Sequence, residues 1–271
     1  MKRSCGILMH ISSLPSPYGI GTFGKEAERF ADWLKSAGQK YWQVLPIGPT
    51  GYADSPYQPF SSFAGNPLLI DLDDLVESGW LAKSSVDDAD YGADPTFVDF
   101  DKVSRSKMAL LREAFAGFTD DVGYTSFVID EQDWLEDYAL FTALKSKFGS
   151  KPYTQWDEDI KMRKPEALKR WREELSEEIK FVKFVQYVFW RQWDRFHRYC
   201  NKNGIQLIGD IPIYVSPDCA DVWAQPELFE LNEKHEPKRV AGVPPDYFSK
   251  TGQLWGNPLY NWQEMHKTGY K

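Results

Sequence analysis

The spacing of apolar and polar positions along the 271 residues changes several times, and each change marks an element. Residues 6–10 form a short apolar run that gives way to polar and Pro residues, which predicts a first strand entering a loop. Over 25–37 the residues Ala27, Phe30, Ala31, Leu34 and Ala37 recur at helical spacing, and Gly38 supplies the stop. Residues 41–47 then read as a second buried strand. Strand, helix and strand in that order predict a right-handed parallel unit.

The period is lost over 48–67, a stretch rich in Gly, Pro, Ser and aromatic residues that leaves the carboxyl end of the second strand. Long structured loops in such places are often functional. Residues 68–175 read as a mostly helical insertion, with helices near 102–115, 131–148 and 166–175 and a charge-rich connection over 84–101. A long amphipathic helix over 177–203 turns Val182, Val185, Val188, Phe189, Trp193 and Phe196 inward, a stripe read as core. Gly204 ends it and starts a third buried strand over 204–215, carrying Ile205, Leu207, Ile208, Ile211, Ile213 and Val215. Asp210 interrupts that run near the end of a parallel strand, where barrels and open sheets build their sites. The competing reading is a carboxylate that only orders a loop, by accepting from backbone N–H groups or an Arg. A second aperiodic loop spans 242–262.

This order predicts an α/β fold, the first part of a (β/α)8 TIM-type barrel carrying a helical insertion. Its expected divisions are 1–67 (strands 1 and 2 with a loop), 68–175 (insertion) and 176–271 (helix, strand 3 and a covering loop), with the remaining barrel strands absent. A shorter open α/β sheet is the alternative. The lack of a GxGxxG after the first strand weighs against its dinucleotide-binding version.

Composition narrows the function. With 32 basic and 40 acidic residues the net charge is -8, and no long basic run is present, which argues against nucleic acid as a partner. Aromatic residues make up 15% of the chain, including 11 Trp; most must be packing, but flat amphipathic rings also suit neutral ring-shaped ligands. Cys5, Cys200 and Cys219 are widely spaced, and with no signal-like or membrane-spanning stretch the expectation is a cytoplasmic chain with no membrane partner. The histidines His10, His197, His235 and His266 are isolated from one another, so neither a metal site nor a catalytic triad is expected.

Four ordered segments carry a resemblance: SLPSPYGIGTFG (13–24), GPTGYADSPYQPFSSFAGNP (48–67), GDIPIYV (209–215) and GVPPDYFSKTGQLWGNPLYNW (242–262). Together they resemble the 4-alpha-glucanotransferase family, also called amylomaltase or disproportionating enzyme. Family members are roughly twice as long, so the resemblance is to an N-terminal portion. It implies a TIM-type barrel, no cofactor, and malto-oligosaccharides or starch- and glycogen-derived glucans as partners, with a C-terminal half as structural complement. The implied activity of the complete enzyme is transfer of alpha-1,4-glucan segments by a retaining double displacement.

Such chemistry needs a carboxylate nucleophile and a carboxylic acid roughly 5 to 5.5 Å apart, and surfaces that hold sugar rings by stacking and by hydrogen bonds to hydroxyls. The loop over 48–67 offers Tyr52, Asp54, Ser55 and Tyr57; the loop over 242–262 offers Asp246, Tyr247, Phe248, Gln253, Trp255 and Asn257. Their prolines could equally stiffen surface turns whose rings pack down. The resemblance implies that Tyr57, Asp210, Asp246, Gln253 and Trp255 line or cover donor and acceptor sugar subsites, that Tyr52 belongs to a second, outlying glucan site, and that Asp210 supports the site without being the nucleophile. Relatives carry the nucleophilic Asp on a fourth strand in a motif like RIDHFRG, with the acid/base further on, and this sequence has no counterpart. No catalytic residue is therefore assigned; nucleophile and acid/base are expected beyond Lys271, and the chain alone is expected to be inactive. A non-catalytic carbohydrate-binding or partner-binding module is the alternative from another class, and an alpha-amylase-type hydrolase a third reading.

Overall fold

The computed structural model describes residues 3–51 and 54–270. In chain order its elements are β1 (Gly6–Leu8), α1 (Lys25–Ser36), β2 (Tyr41–Gln43), α2 (Leu72–Glu77), α3 (Lys83–Asp87), α4 (Phe100–Gly117), α5 (Val122–Asp130) and α6 (Gln132–Lys147). They continue with α7 (Glu158–Lys161), α8 (Pro165–Glu174), α9 (Ser176–Lys202), β3 (Gln206–Ile208), α10 (Ala220–Ala224), β4 (Val240–Val243), β5 (Gln253–Pro258) and α11 (Trp262–Lys267). Two compact units share these: one of residues 1–49, 65–132 and 183–211, the other of 50–64, 133–182 and 212–271. Each of the three expected divisions contributes residues to both units.

The first unit is built on a parallel sheet in the order β1-β2-β3, with Ile7 opposite Trp42 and Trp42 opposite Leu207. Helix α1 forms because Ala27, Ala31 and Leu34 bury one stripe, while Glu26 and Glu28 at its start and Lys35 at its end suit the helix dipole. It ends in a Schellman turn: Gln39 N donates to Leu34 O and Gly38 N to Lys35 O, with Gly38 at φ +73°. The same device closes α9, where Ile205 N donates to Cys200 O and Gly204 sits at φ +76°. From α9, Phe189 and Phe196 pack with Phe23, and Phe196 meets the edge of Trp42, whose indole N–H donates to Met9 O at 2.7 Å. Two buried glutamines on α9 each close a pair of hydrogen bonds on loop backbone, Gln186 on Gly65 and Gln192 on Asp71. Gly65 is required there, because an added Cβ would lie 2.0 Å from the Phe189 ring.

The second unit centres on Trp223 of α10, which is fully buried, donates to Ile160 O at 3.1 Å and lies 4.3 Å beneath the Arg163 guanidinium. Arg163 in turn donates to both carboxylate oxygens of Asp137 on α6 at 2.9 Å. Strands β4 and β5 form an antiparallel hairpin with a register shift between Val240 and Gly242.

The strands are shorter than expected: β1 stops at Leu8 and β2 at Gln43, short of residues 10 and 47. The third strand stops at Ile208 instead of running to residue 215: Asp210 Oδ1 takes the Ile211 N–H, Pro212 has none to offer, and Ile211 and Ile213 are 79% and 76% exposed. The second aperiodic loop contains the β4–β5 hairpin, which hydrophobic alternation could not reveal because Leu254 and Trp255 are both substantially exposed. The helices over 25–37, 102–115, 131–148, 166–175 and 177–203 are present with small shifts at their ends.

Candidate functional site

Three loops leave the carboxyl ends of the parallel strands in the first unit, and side chains that follow the strand ends stand on them. Asp210 comes two residues after β3; it is exposed, and its carboxylate accepts from Ile211 N at 2.9 Å. His10 comes two residues after β1. Its Nδ1 is buried without a hydrogen-bond partner among the described residues, and burial lowers its pKa to about 4, so the imidazole is neutral near pH 7. Nothing in the residue pattern marks His10 beyond its position at the end of the first apolar run.

The remaining candidates lie in the second unit. Gln253 and Trp255 stand two apart on β5 and so share a face, and the Trp255 indole N–H donates to Gln253 Oε1 at 3.1 Å. Trp255 stays 43% exposed, with the Tyr214 ring alongside at 6.4 Å between centroids. Tyr214 stacks on Tyr260, whose hydroxyl donates to Ile213 O. The result is an aromatic wall with an amide at its edge. Tyr214 was not singled out in the sequence, although it follows Asp210 by four residues. Asn257 is buried, and its Nδ2 donates to Val215 O at 2.7 Å, fastening β5 to the segment that bears Tyr214.

Asp246 lies in the turn between β4 and β5. Its Oδ1 accepts from Phe248 N and Ser249 N at 2.9 and 2.8 Å, which orders the turn and leaves Tyr247 and Phe248 96% and 88% exposed at its tip. Tyr57 is exposed, and its backbone N–H donates to Ser55 Oγ at 3.3 Å. Tyr52 lies outside the described residues. Gln253, Trp255 and Asn257 are thus brought onto one strand and Asp246 onto its adjoining turn; Ser55 and Tyr57 form a separate turn, and Asp210 belongs to the first unit. Among the described residues there is no cluster of three or more His, Cys, Asp or Glu suited to a metal ion, and no helix long and apolar enough to cross a membrane.

Comparison with known proteins then decides the lineage. Residues 9–271 match the glycoside hydrolase 77 family, described as 4-alpha-glucanotransferase. The chain belongs to this family. A 4-alpha-glucanotransferase of Clostridium butyricum is 49% identical over 266 residues, covering 97% of this chain and 55% of that protein. One of Thermus thermophilus is 47% identical, covering 100% of this chain and 54% of that protein. An amylomaltase from Streptococcus agalactiae, solved in complex with acarbose, superposes with a TM-score of 0.96 at 44% identity, over 100% of this chain and 55% of that one. The amylomaltase of Corynebacterium glutamicum, at 20% identity and a TM-score of 0.77, shares the fold. The chain spans about half the length of the relatives it matches.

Proposed function

We propose that this chain is the N-terminal portion of an enzyme that transfers alpha-1,4-glucan segments between malto-oligosaccharides in the cytoplasm, and that its three parallel strands begin a (β/α)8 barrel. The observation that carries the reading is the half-exposed Trp255 ring with the Gln253 amide at its edge, in a chain of the 4-alpha-glucanotransferase family. A sugar presents C–H faces to the ring and hydroxyl edges to the amide, so one wall serves both. Tyr57, Ser55, Asp246 and, outside the described residues, Tyr52 complete the proposed glucan-binding set, with Asp210 binding substrate in support; Asn257, expected to bind glucan, is buried against Val215 O and instead holds β5 in place.

In this reading Trp255 and its neighbours bind and orient the glucan. Double displacement requires a nucleophilic carboxylate and a proton donor on opposite sides of the scissile bond. We assign both to the half of the relatives' length that this chain does not span, which supports a C-terminal half as its complement. The test is to supply maltotriose to the protein at the full length its gene encodes. Glucose appearing together with maltopentaose supports transfer, whereas shorter sugars alone would point to hydrolysis and no turnover to a binding module.

A further inference from the structure

Within the second unit, a cavity of about 600 Å³ is lined by Phe63, Asp133, Trp134, Asp221, Gln225 and Glu227, among others. None of these residues belongs to the glucan-binding set proposed above. Phe63 and Trp134 are nearly parallel, 18° between planes and 6.2 Å between centroids, a loosely stacked pair of rings. Phe63 is 55% exposed, yet its loop is fixed: Ala220 N donates to Phe60 O at 2.8 Å, Ser62 N to Asp221 Oδ2 at 2.9 Å, and Phe63 N to Ser61 Oγ at 3.1 Å. A large apolar ring left exposed on a loop fixed by hydrogen bonds is a presented surface.

The chemistry around the platform selects the ligand. Asp133 and Glu227 are exposed and make no ion pair among the described residues, so their oxygens are available as acceptors. Arg163 and Arg172, the cations paired with the lining residue Asp137, are already committed to it. An anionic ligand would meet like charge, and an apolar one would displace water from the carboxylates without replacing its hydrogen bonds. A neutral polyol ring satisfies both, laying a C–H face on Phe63 or Trp134 and donating hydroxyls to Asp133 and Glu227.

We propose that the Phe63–Trp134 pair forms a glucan-holding platform, taking a sugar ring of a malto-oligosaccharide against its open face while Asp133 and Glu227 accept hydroxyls. The choice of an alpha-glucan over other neutral sugars rests on the function proposed above. The test is hydrogen exchange of the full-length protein with maltoheptaose, read segment by segment, on the wild type, Phe63→Ala, Trp134→Ala and Phe63→Leu, the last keeping apolar bulk while removing the flat face. The expected result is protection over residues 60–64 and 131–138 in the wild type, lost or at least tenfold weaker in affinity in the variants, with protection over 253–257 retained in all of them; tenfold corresponds to about 1.4 kcal/mol, the scale of one aromatic contact. Protection over 253–257 without any over 131–138 would overturn the platform and leave the proposed function standing. Protection in neither place would remove the glucan reading altogether, and protection of 131–138 by a lysine-rich peptide but not by maltoheptaose would reassign the platform to a cationic partner. A Phe63→Leu protein that keeps wild-type protection at 60–64 would also count against it.

Discussion

At the scale of single residues, Lys107 shows how far environment can move a side chain from its ordinary behaviour. It is fully buried on α4 and donates to Leu68 O and Ile70 O at 2.7 and 2.8 Å, and desolvation lowers its pKa to about 7. Between that value and the ordinary lysine pKa the unfolded chain binds a proton that the folded chain does not, so stability rises with pH across the window and the cost of charging the amine is fully present below it. The slope is at most about 1.4 kcal/mol per pH unit. Urea midpoints at pH 7 and pH 9 should therefore increase more for the wild type than for Lys107→Met. The variant should also lose about 1–3 kcal/mol for each carbonyl left without a donor; equal pH responses would show that the buried amine keeps its ordinary pKa and stays charged in the folded chain. Trp255 belongs to the same scale. In the full-length enzyme Trp255→Ala should weaken transglycosylation by about 1–3 kcal/mol in kcat/KM if sugar covers the ring, Tyr57→Ala should raise the donor concentration needed, and exposed Cys5→Ser should change neither. Equal losses in all three would indicate general destabilisation.

At the scale of elements, the glycines separate two kinds of constraint. Gly204 has no atom within 4 Å of an added Cβ but sits at φ +76°, so Gly204→Ala should cost about 1–2 kcal/mol for the left-handed backbone alone. Gly65→Ala drives a methyl into the Phe189 ring and should cost more, about 3 kcal/mol or above, because α9 cannot retreat without breaking the Gln186 bonds to Gly65. Denaturant midpoints order the two, and an equal cost would mean that the loop at Gly65 moves freely. Helices α1 and α9 were legible in sequence because one apolar stripe and one terminal glycine agreed about each. Strand β3 was overextended because an apolar run records what a residue prefers to touch, not whether anything covers it, and Ile211 and Ile213 remain exposed. The β4–β5 hairpin was invisible for the converse reason, since with little of its surface buried it carries no alternation. Gln253 and Trp255 could be paired in advance had the strand been recognised, because residues two apart share a face. Lys107 could not, because the sequence of α4 does not distinguish an amine aimed at loop carbonyls from one in water.

At the scale of the whole molecule, what the chain leaves exposed sets its expected behaviour alone. Among the described residues β1 and β3 each pair on one side only, with β2, and Leu8, Ile208, Ile211 and Ile213 are 58%, 43%, 79% and 76% exposed. Unpaired strand edges flanked by apolar side chains favour self-association, so the 271-residue chain by itself should be poorly soluble or depend on a complementing C-terminal half. A compact monomer with a sharp, high-temperature transition would contradict the half-barrel reading. The same chain should not disproportionate maltotriose. The oxocarbenium-like transition state and the covalent intermediate that follows need a nucleophilic carboxylate on one side and a placed acid on the other. Stacking on Trp255 and hydrogen bonds from Gln253, Asp246 and Asp210 would hold substrate and transition state almost equally, and uniform binding of that kind lowers the substrate concentration needed without raising turnover. Purified chain incubated with maltotriose should yield neither glucose nor maltopentaose, and both should appear once the C-terminal half is added in trans. Turnover by the chain alone that persists in Asp210→Asn would place the catalytic carboxylates elsewhere within these 271 residues.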